Sequence, residues 1–429
     1  MKQISFLINC SVNTLDHMKL LIKSLKENLH HKEHEILVFV DSDNEGLTEW
    51  LKEQKKDFFD LKIITHNLTP CVGYSRNNNL LVELAKHPIV SYLQSDMVIS
   101  PNYDLDVLSE LEENCILSAT RIEPPLHGMS DRTITKDFGT DPNDFKWDEF
   151  QKFSIEAKTD RQIDYFFAPF TFYKNVWLEV GGYDTLFRRS REDSDLLQRF
   201  IQKGVKIKQT FKANVYHFSC VSSRGKNWFD PNSKEAQTRV QIQQYADKVE
   251  LVRFTRKWGR FNHGEQKLIR YDMDLLWRGG TIQELTSIEP YFTKTWLPGN
   301  QIKEQLEMYY RTEHAFANQL LKFSDLDWQV AKKFYNQVDY SSIHQIGDPT
   351  DYNILVTVSI PRDEKGALTE EASLFLQNLA FLSDIIEQNE PGTYQLGTAT
   401  IHIKNKVNLA NNHIVVENPP FDYSLLTIE

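Results

Sequence analysis

The first hundred residues alternate short apolar runs with amphipathic stretches, and few folds accept that pattern. ISFLINC (4–10), EILVFVD (35–41), LKIITHN (61–67) and IVSYLQSD (89–96) are suited to buried strands. Between the first two, residues 14–29 place Leu15, Met18, Leu21, Ile22 and Leu25 on one helical face. Further helices are predicted over 47–56 and 75–86. Strands that alternate with helices predict a parallel, doubly wound α/β sheet. Such sheets bind ligands at the carboxyl ends of their strands. Asn9, Asp41 and Asp96 all lie at or just after such ends.

The remainder is organised less regularly. Residues 120–165 are poor in pattern and rich in Asp, Pro and aromatic residues, as a loop-rich acceptor region or plain surface would be. Order returns over 166–220, and a basic helix is expected over 235–257. Gly279, Gly280 and Pro290 mark the expected domain boundary. The reading is an α/β domain over 1–285 and a smaller α+β domain over 286–429. The latter is expected to have helices at 300–323, 325–337 and 370–388, and strands at 353–360, 394–404 and 412–417. A chain of 429 residues with 40% hydrophobic content supports two cores of this kind.

Several classes are disfavoured. No run of about 18 apolar residues is present, so no membrane span is expected. Asn9, Ser11 and Asn13 interrupt the apolar start, which reads as a strand and not a signal peptide. The four cysteines, Cys10, Cys71, Cys115 and Cys220, form no CxxC pair. A zinc site or disulfide framework is not expected, and a cytoplasmic location is. The net charge of −11 argues against nucleic acid, yet residues 201–280 hold 16 Lys+Arg against 7 Asp+Glu. That surplus of nine points either to an anionic partner or to a solvated basic face.

Asp96 closes a very apolar strand, and a carboxylate there is costly unless it faces a cleft and meets a cation. A hard, oxygen-liganded ion such as Mg²⁺ or Mn²⁺ suits it; a turn aspartate would look the same in sequence. GYSRNNN (73–79) opens a helix, with Ser75 as a cap and Arg76 able to reach a base edge or phosphate. REDSDL (191–196) puts Glu192, Asp193 and Asp195 at a helix start, where acids are favoured in any case. His217 ends the VYHFS strand as a neutral imidazole ligand or a structural histidine.

Taken in order, these motifs resemble family 2 glycosyltransferases, which have the GT-A fold. The resemblance covers about residues 3–260. It rests on Asp41 in VDSDN, GYSRN, QSD (94–96), GGYD (181–184), the Glu192–Asp193 pair, His217, and RFTRKWG (253–259), which is similar to a KWGG closing stretch. The resemblance implies transfer of a sugar from a nucleotide-diphosphate donor to a hydroxyl, by an inverting displacement and with Mn²⁺ or Mg²⁺. It implies that Asn9, Asp41, Arg76, Asn77, Ser95 and Asp96 hold the donor, and that Asp96 and His217 bind the metal. Asp193, beside Glu192, would be the acceptor base, and Gly181, Gly182, Tyr183 and Trp228 would shape the acceptor wall. Two departures stand out: Gln94 replaces the first acid of the usual DxD, and Arg260 the second glycine of KWGG.

Residues 366–405 resemble the late part of thymidylate synthase, as do NILVTVSIPRD (353–363) and NPPFDY (418–423). No cysteine follows Cys220, so the synthase nucleophile is missing and a non-catalytic, pyrimidine-recognising or dimerising relative is implied. Together with the basic segment, this suggests a hydroxymethylated pyrimidine in DNA as acceptor. Arg253, Arg256, Lys257 and Arg260, interleaved with Phe254, Trp258 and Phe261, would meet it, or would pack the end of the domain, as is expected of Phe254 and Trp258. A glycan, lipid or protein acceptor, or an inactive nucleotide-sugar-binding module, is the alternative.

Overall fold

A computed structural model describes residues 2–43, 45–58, 60–68, 72–126, 130–187, 190–218, 232, 234–260, 266–309, 344–411, 416 and 418–429. The chain forms two compact units, one of 1–244 with 416–429 and the other of 245–415.

The first unit begins with β1 (Ile4–Cys10), α1 (Leu15–Asn28), β2 (Glu35–Val40), α2 (Leu47–Gln54), β3 (Asp60–His66), α3 (Tyr74–Leu84) and β4 (Ile89–Gln94). Strands β3, β2, β1 and β4 lie side by side in that order, all parallel. The runs of β1, β2 and β4 are buried on both faces, which is why they read as continuous hydrophobic stretches, while β3 is only partly buried. Helix α1 buries Met18, Leu21, Ile22 and Leu25, four of the five residues expected on its inner face. Each such side chain contributes roughly 1.5–3 kcal/mol of burial.

The chain then supplies β5 (Met97–Ile99), α4 (Tyr103–Glu110), β6 (Cys115–Glu123), β7 (Thr133–Thr135), α5 (Trp147–Glu156), β8 (Gln162–Ile163), β9 (Phe170–Tyr173), α6 (Lys174–Val180), α7 (Glu192–Gln202) and β10 (Lys206–His217). Strand β9 enters antiparallel between β4 and β6. Strand β10 pairs parallel with β6 and antiparallel with β5. The sheet order reverses at β1 and β4, which puts a switch point at Asn9 and Gln94, paired in register. β6 begins before the pattern-poor region 120–165 and extends into it, ending on an acid, Glu123.

Helix α8 (Lys234–Trp258) carries the chain across the division at Gln244. The second unit then holds β11 (Met273–Gly279), α9 (Ile282–Ile288), β12 (Lys294–Leu297), β13 (His344–Ile346), β14 (Ile354–Ser359), α10 (Glu370–Asn378), α11 (Leu382–Gln388), β15 (Gly392–Leu396) and β16 (Ala399–Ile403). Its sheet runs β13-β12-β11-β14-β16-β15; the first four strands are parallel and the last two form an antiparallel hairpin. The expected boundary at 285 falls within this unit, because β11 pairs with β14 and not with the first sheet. The single strand expected over 394–404 is a hairpin that turns at Gly397, where φ is 56°. Residues 300–309 are helical; the rest of the helices expected over 300–323 and 325–337, and most of the strand over 412–417, lie outside the described residues.

The chain ends back in the first unit. β17 (Leu426–Ile428) adds antiparallel to β3 at the sheet edge, and Glu429 exchanges two backbone hydrogen bonds with Ile63. Among the described residues no helix is long and apolar enough to cross a membrane.

Candidate functional site

The expected site residues gather at the carboxyl ends of the first sheet, in three groups. The first surrounds Asp41, just past β2. Its carboxylate accepts backbone N–H bonds from Val72 (2.7 Å) and Gly73 (3.1 Å), and His66 Nε2 lies 2.9 Å away. Asp41 therefore organises the loop that launches α3. Nearby, Asn77 Nδ2 donates to Asn9 Oδ1 at 3.3 Å, and Asn9 Nδ2 reaches the Tyr74 carbonyl at 3.5 Å. The buried Asn77 Oδ1 makes no hydrogen bond, and neither does Gln94 Oε1. Buried polar atoms of this kind are rare, and here both lie beside the switch point. Ser95 is buried next to Asp96.

Arg76 is placed elsewhere. Its guanidinium donates to the carbonyls of Pro419 (2.5 Å) and Pro420 (2.8 Å) and lies 5.2 Å from the centre of the Phe421 ring. The returning tail holds it.

The second group is Asp96, His217 and Glu123. Asp96 follows β4 directly and is buried. His217 ends β10, and Phe218 N–H donates to the Asp96 carbonyl, tying the two strand ends together. His217 Nε2 lies 3.7 Å from Asp96 Oδ1, and its Nδ1 lies 2.7 Å from Glu123 Oε1. Arg121 Nη1 is 3.7 Å from the same Glu123 oxygen. Among the described residues no group of three His, Cys, Asp or Glu side chains forms a ready-made metal cage. Asp96 and His217 do suit a cation that takes its other ligands from phosphate oxygens and water, as Mg²⁺ commonly does.

The third group is built on the GGYD turn and the start of α7. Gly181 and Gly182 have φ of 83° and 69°. A Cβ on Gly182 would lie 2.5 Å from Asn79 Oδ1 and 2.6 Å from Trp177 Nε1. Only glycine lets the turn pass there. Asn79 clamps the backbone of Tyr183 in both directions, at 2.7 and 2.9 Å. Asp195 bonds Arg199 one helical turn later, at 2.8 and 2.9 Å, and Arg199 Nη1 donates to the carbonyls of Val180 and Gly182. Asp195 is thus structural: its buried pair locks α7 to the turn.

Asp193 is the chemical group of this cluster. It sits in the first turn of α7, next to Glu192 and just after Arg191, a non-glycine residue held at φ 67°. Backbone in that region is strained for such a residue, and strain concentrates at functional sites. Tyr183 Oη donates to Asp193 Oδ1 at 2.5 Å. Burial raises the Asp193 pKa, while the Tyr183 hydroxyl and the Arg121 charge pull it back in part. Tyr74 and Tyr92 complete an aromatic wall, with Tyr92 Oη donating to Tyr74 Oη at 2.8 Å. Burial holds all three phenols far above their ordinary range, so they remain neutral donors. A desolvated carboxylate with a raised pKa, a neutral donor beside it and a distinct Asp–His pair nearby is an arrangement for proton abstraction next to an anionic ligand.

Of the expected residues, Trp228 lies outside the described residues, as does Phe261. Phe254 and Trp258 are fully buried, so neither stacks on a base. Arg256 pairs with Glu289, and Arg260 with Asp384 at 2.7 and 3.1 Å. These residues pack the second unit. Glu123, Arg121, Asn79 and Arg199 were missed in the sequence. Glu123 carried the same signal as Asp96, an acid ending an apolar strand, and Arg199 the i,i+4 spacing from Asp195.

A doubly wound sheet with polar groups converging on its switch point belongs to the class of α/β domains that bind ligands at that crevice. Residues 8–181 match the family model described as glycosyl transferase family 2. Over residues 8–181 the N-terminal unit is accordingly similar to family 2 glycosyltransferases, and a second compact unit follows it. Among solved structures, S. aureus TarS is similar at 12% identity and a TM-score of 0.39, over 60% of this chain and 48% of that one. GalNAc-T7 solved with UDP, GalNAc and Mn²⁺ is similar at 14% identity and a TM-score of 0.40, over 59% and 51%. S. aureus TarS 1-349 is similar at 11% identity and a TM-score of 0.39, over 79% and 93%. The chain thus spans about half the length of the first two. No curated protein sequence matches it.

Proposed function

We propose that this protein transfers a sugar from a nucleotide-diphosphate donor to an acceptor hydroxyl, with Asp193 as the base. The observation that carries the reading is the Asp193 environment: a buried carboxylate of raised pKa that accepts from Tyr183 and stands apart from the Asp96–His217 pair. Asp193 takes the acceptor proton as the hydroxyl attacks the sugar carbon, and the diphosphate leaves with the bond electrons. Direct attack inverts the anomeric centre. Asp96 and His217 would hold Mn²⁺ or Mg²⁺, which would supply positive charge opposite the departing diphosphate. Asn9, Asn77 and Gln94 would meet the donor, which gives Asn77 Oδ1 and Gln94 Oε1 partners. Asp41 serves the donor by shaping the loop before α3. Gly181, Gly182 and Tyr183 form the acceptor wall.

The acceptor we propose is a hydroxymethylated pyrimidine in DNA. Its support is the basic 201–280 segment and the thymidylate-synthase-like sequence near the C-terminus, which also supports dimerisation through the second unit. With Phe254 and Trp258 buried and Arg256 and Arg260 paired internally, any DNA contact must come from other residues of that segment. Steeply salt-dependent binding to duplex DNA is the expected result; no binding at low salt would rule this acceptor out. The second reading is an inactive nucleotide-sugar-binding module, favoured by Gln94 in place of an acid. Turnover of a nucleotide sugar with Mn²⁺ separates the two. Asp193→Ala should lower turnover by roughly 10²–10⁴-fold, and undiminished turnover would remove Asp193 from its role.

A further inference from the structure

We infer that Glu123 is a positioning residue that sets the tautomer of His217 and aims its Nε2 lone pair at Asp96. The inference rests on the reading of Asp96 and His217 as the cation ligands, and it adds a residue that neither the motifs nor the family match assigns.

The geometry is specific. Glu123 Oε1 lies 2.7 Å from His217 Nδ1, while the other ring nitrogen faces Asp96 Oδ1 at 3.7 Å. A carboxylate can only accept, so Nδ1 carries the proton and donates to Glu123. In the neutral ring Nε2 is then the unprotonated nitrogen, with its lone pair turned to Asp96. Two acceptors facing each other at 3.7 Å without a proton between them suit a shared cation. A ligating histidine is usually held in this way, with its second nitrogen donating to a carboxylate that fixes ring orientation and raises basicity.

The elements explain why Glu123 is available. It is the last residue of β6, and β10 runs parallel to β6 up to the pair Tyr216 and Ile122, one residue short of His217 and Glu123. The sheet therefore brings the two side chains together at its carboxyl edge. The His217 and Glu123 side chains are only 7% and 12% exposed, so water competes weakly for either. Arg121, two residues earlier on the same face of β6, stands 3.7 Å from Glu123 Oε1 and also acts on Asp193. Glu123 is thus placed between the cation side and the base side of the site.

The test uses the full chain labelled with ¹⁵N-histidine, with Mn²⁺ and UDP as the added probes, UDP supplying the phosphate oxygens in every Mn²⁺ measurement. His217 is assigned by the signals lost in His217→Gln. At a pH where the ring is neutral, wild-type His217 should be in the Nδ1–H form. Glu123→Ala should shift it toward the Nε2–H form and weaken Mn²⁺ binding, followed by electron paramagnetic resonance, roughly 10- to 100-fold. Glu123→Gln keeps an acceptor oxygen and should retain the wild-type tautomer and most of the affinity, which a purely structural loss would not allow. A wild-type His217 in the Nε2–H form, or a tautomer unmoved in Glu123→Ala, would overturn the positioning role whatever the metal does. A tautomer that moves in a protein whose wild type binds no Mn²⁺ would uphold the Glu123–His217 pair and overturn the cation assignment of Asp96 and His217.

Discussion

Asp193 and Tyr183 show how one short hydrogen bond tunes a buried carboxylate. Burial alone would hold the Asp193 carboxyl protonated to higher pH, and the Tyr183 hydroxyl opposes this by donating to the ionised form. As the proposed base Asp193 must be ionised to act, so activity should be lost as pH falls through its raised pKa. Tyr183→Phe removes a contact that lowers this pKa. The acid limb of the kcat profile should therefore move to higher pH, with a smaller change on the plateau. An acid limb that stays in place, or moves to lower pH, would contradict the assigned contact. Asp195, two positions away, illustrates the opposite case. Its charge is taken up by Arg199 in a buried pair. Spacing placed both acids in one helical turn, and only the family resemblance singled out Asp193. The difference lies in which face of α7 each occupies and in what a distant loop brings to that face.

At the scale of elements, the parallel strands were legible because burial on both faces leaves them as unbroken apolar runs. Strands β1, β2, β3 and β4 match the runs read from the sequence to within a residue or two. Asp96 and His217 were legible for the same reason, as polar residues that close such runs. Glu123 closes a run as well, but β6 leads into a stretch with no helical or strand period beyond it, and its value depends on long-range pairing with β10. Arg76 failed differently. Its place in the GYSRN motif was visible, but its partners at Pro419 and Pro420 are more than 340 positions away. The GGYD turn was expected only as an acceptor wall, and the structure shows why its second residue is glycine. Gly182→Ala would force a Cβ against Asn79 and Trp177 at a positive φ. The expected cost is about 1–3 kcal/mol, seen as a lower midpoint in urea, together with reduced activity through the displaced Tyr183. A variant as stable and active as wild type would show that the turn tolerates a side chain.

At the scale of the molecule, the two units differ in how much the sequence disclosed. The first carries the family match and every described site residue. The second was expected as α+β, and its sheet is mixed, with four parallel strands and an antiparallel hairpin; β12 and β13, of four and three residues, are too short to leave a period in the sequence. The return of residues 416–429 to the first unit was not legible at all. A three-residue strand such as β17 has no period to detect, and its only signal is an exposed sheet edge waiting on β3. The tail covers that edge and holds Arg76, so the catalytic unit is closed by residues from the far end of the chain.

The central claim is that the switch point of the first sheet binds a nucleotide-diphosphate sugar through a cation at Asp96 and His217. The most direct measurement is thermal unfolding of wild type and Asp96→Ala with UDP-sugars and other nucleotide sugars, with and without Mn²⁺. A ligand present at about 100 times its dissociation constant stabilises the native state by roughly 2.7 kcal/mol. The account predicts a rise in the unfolding midpoint of wild type that requires both nucleotide sugar and Mn²⁺ and disappears in Asp96→Ala. An equal rise without Mn²⁺, or an undiminished rise in Asp96→Ala, would contradict it.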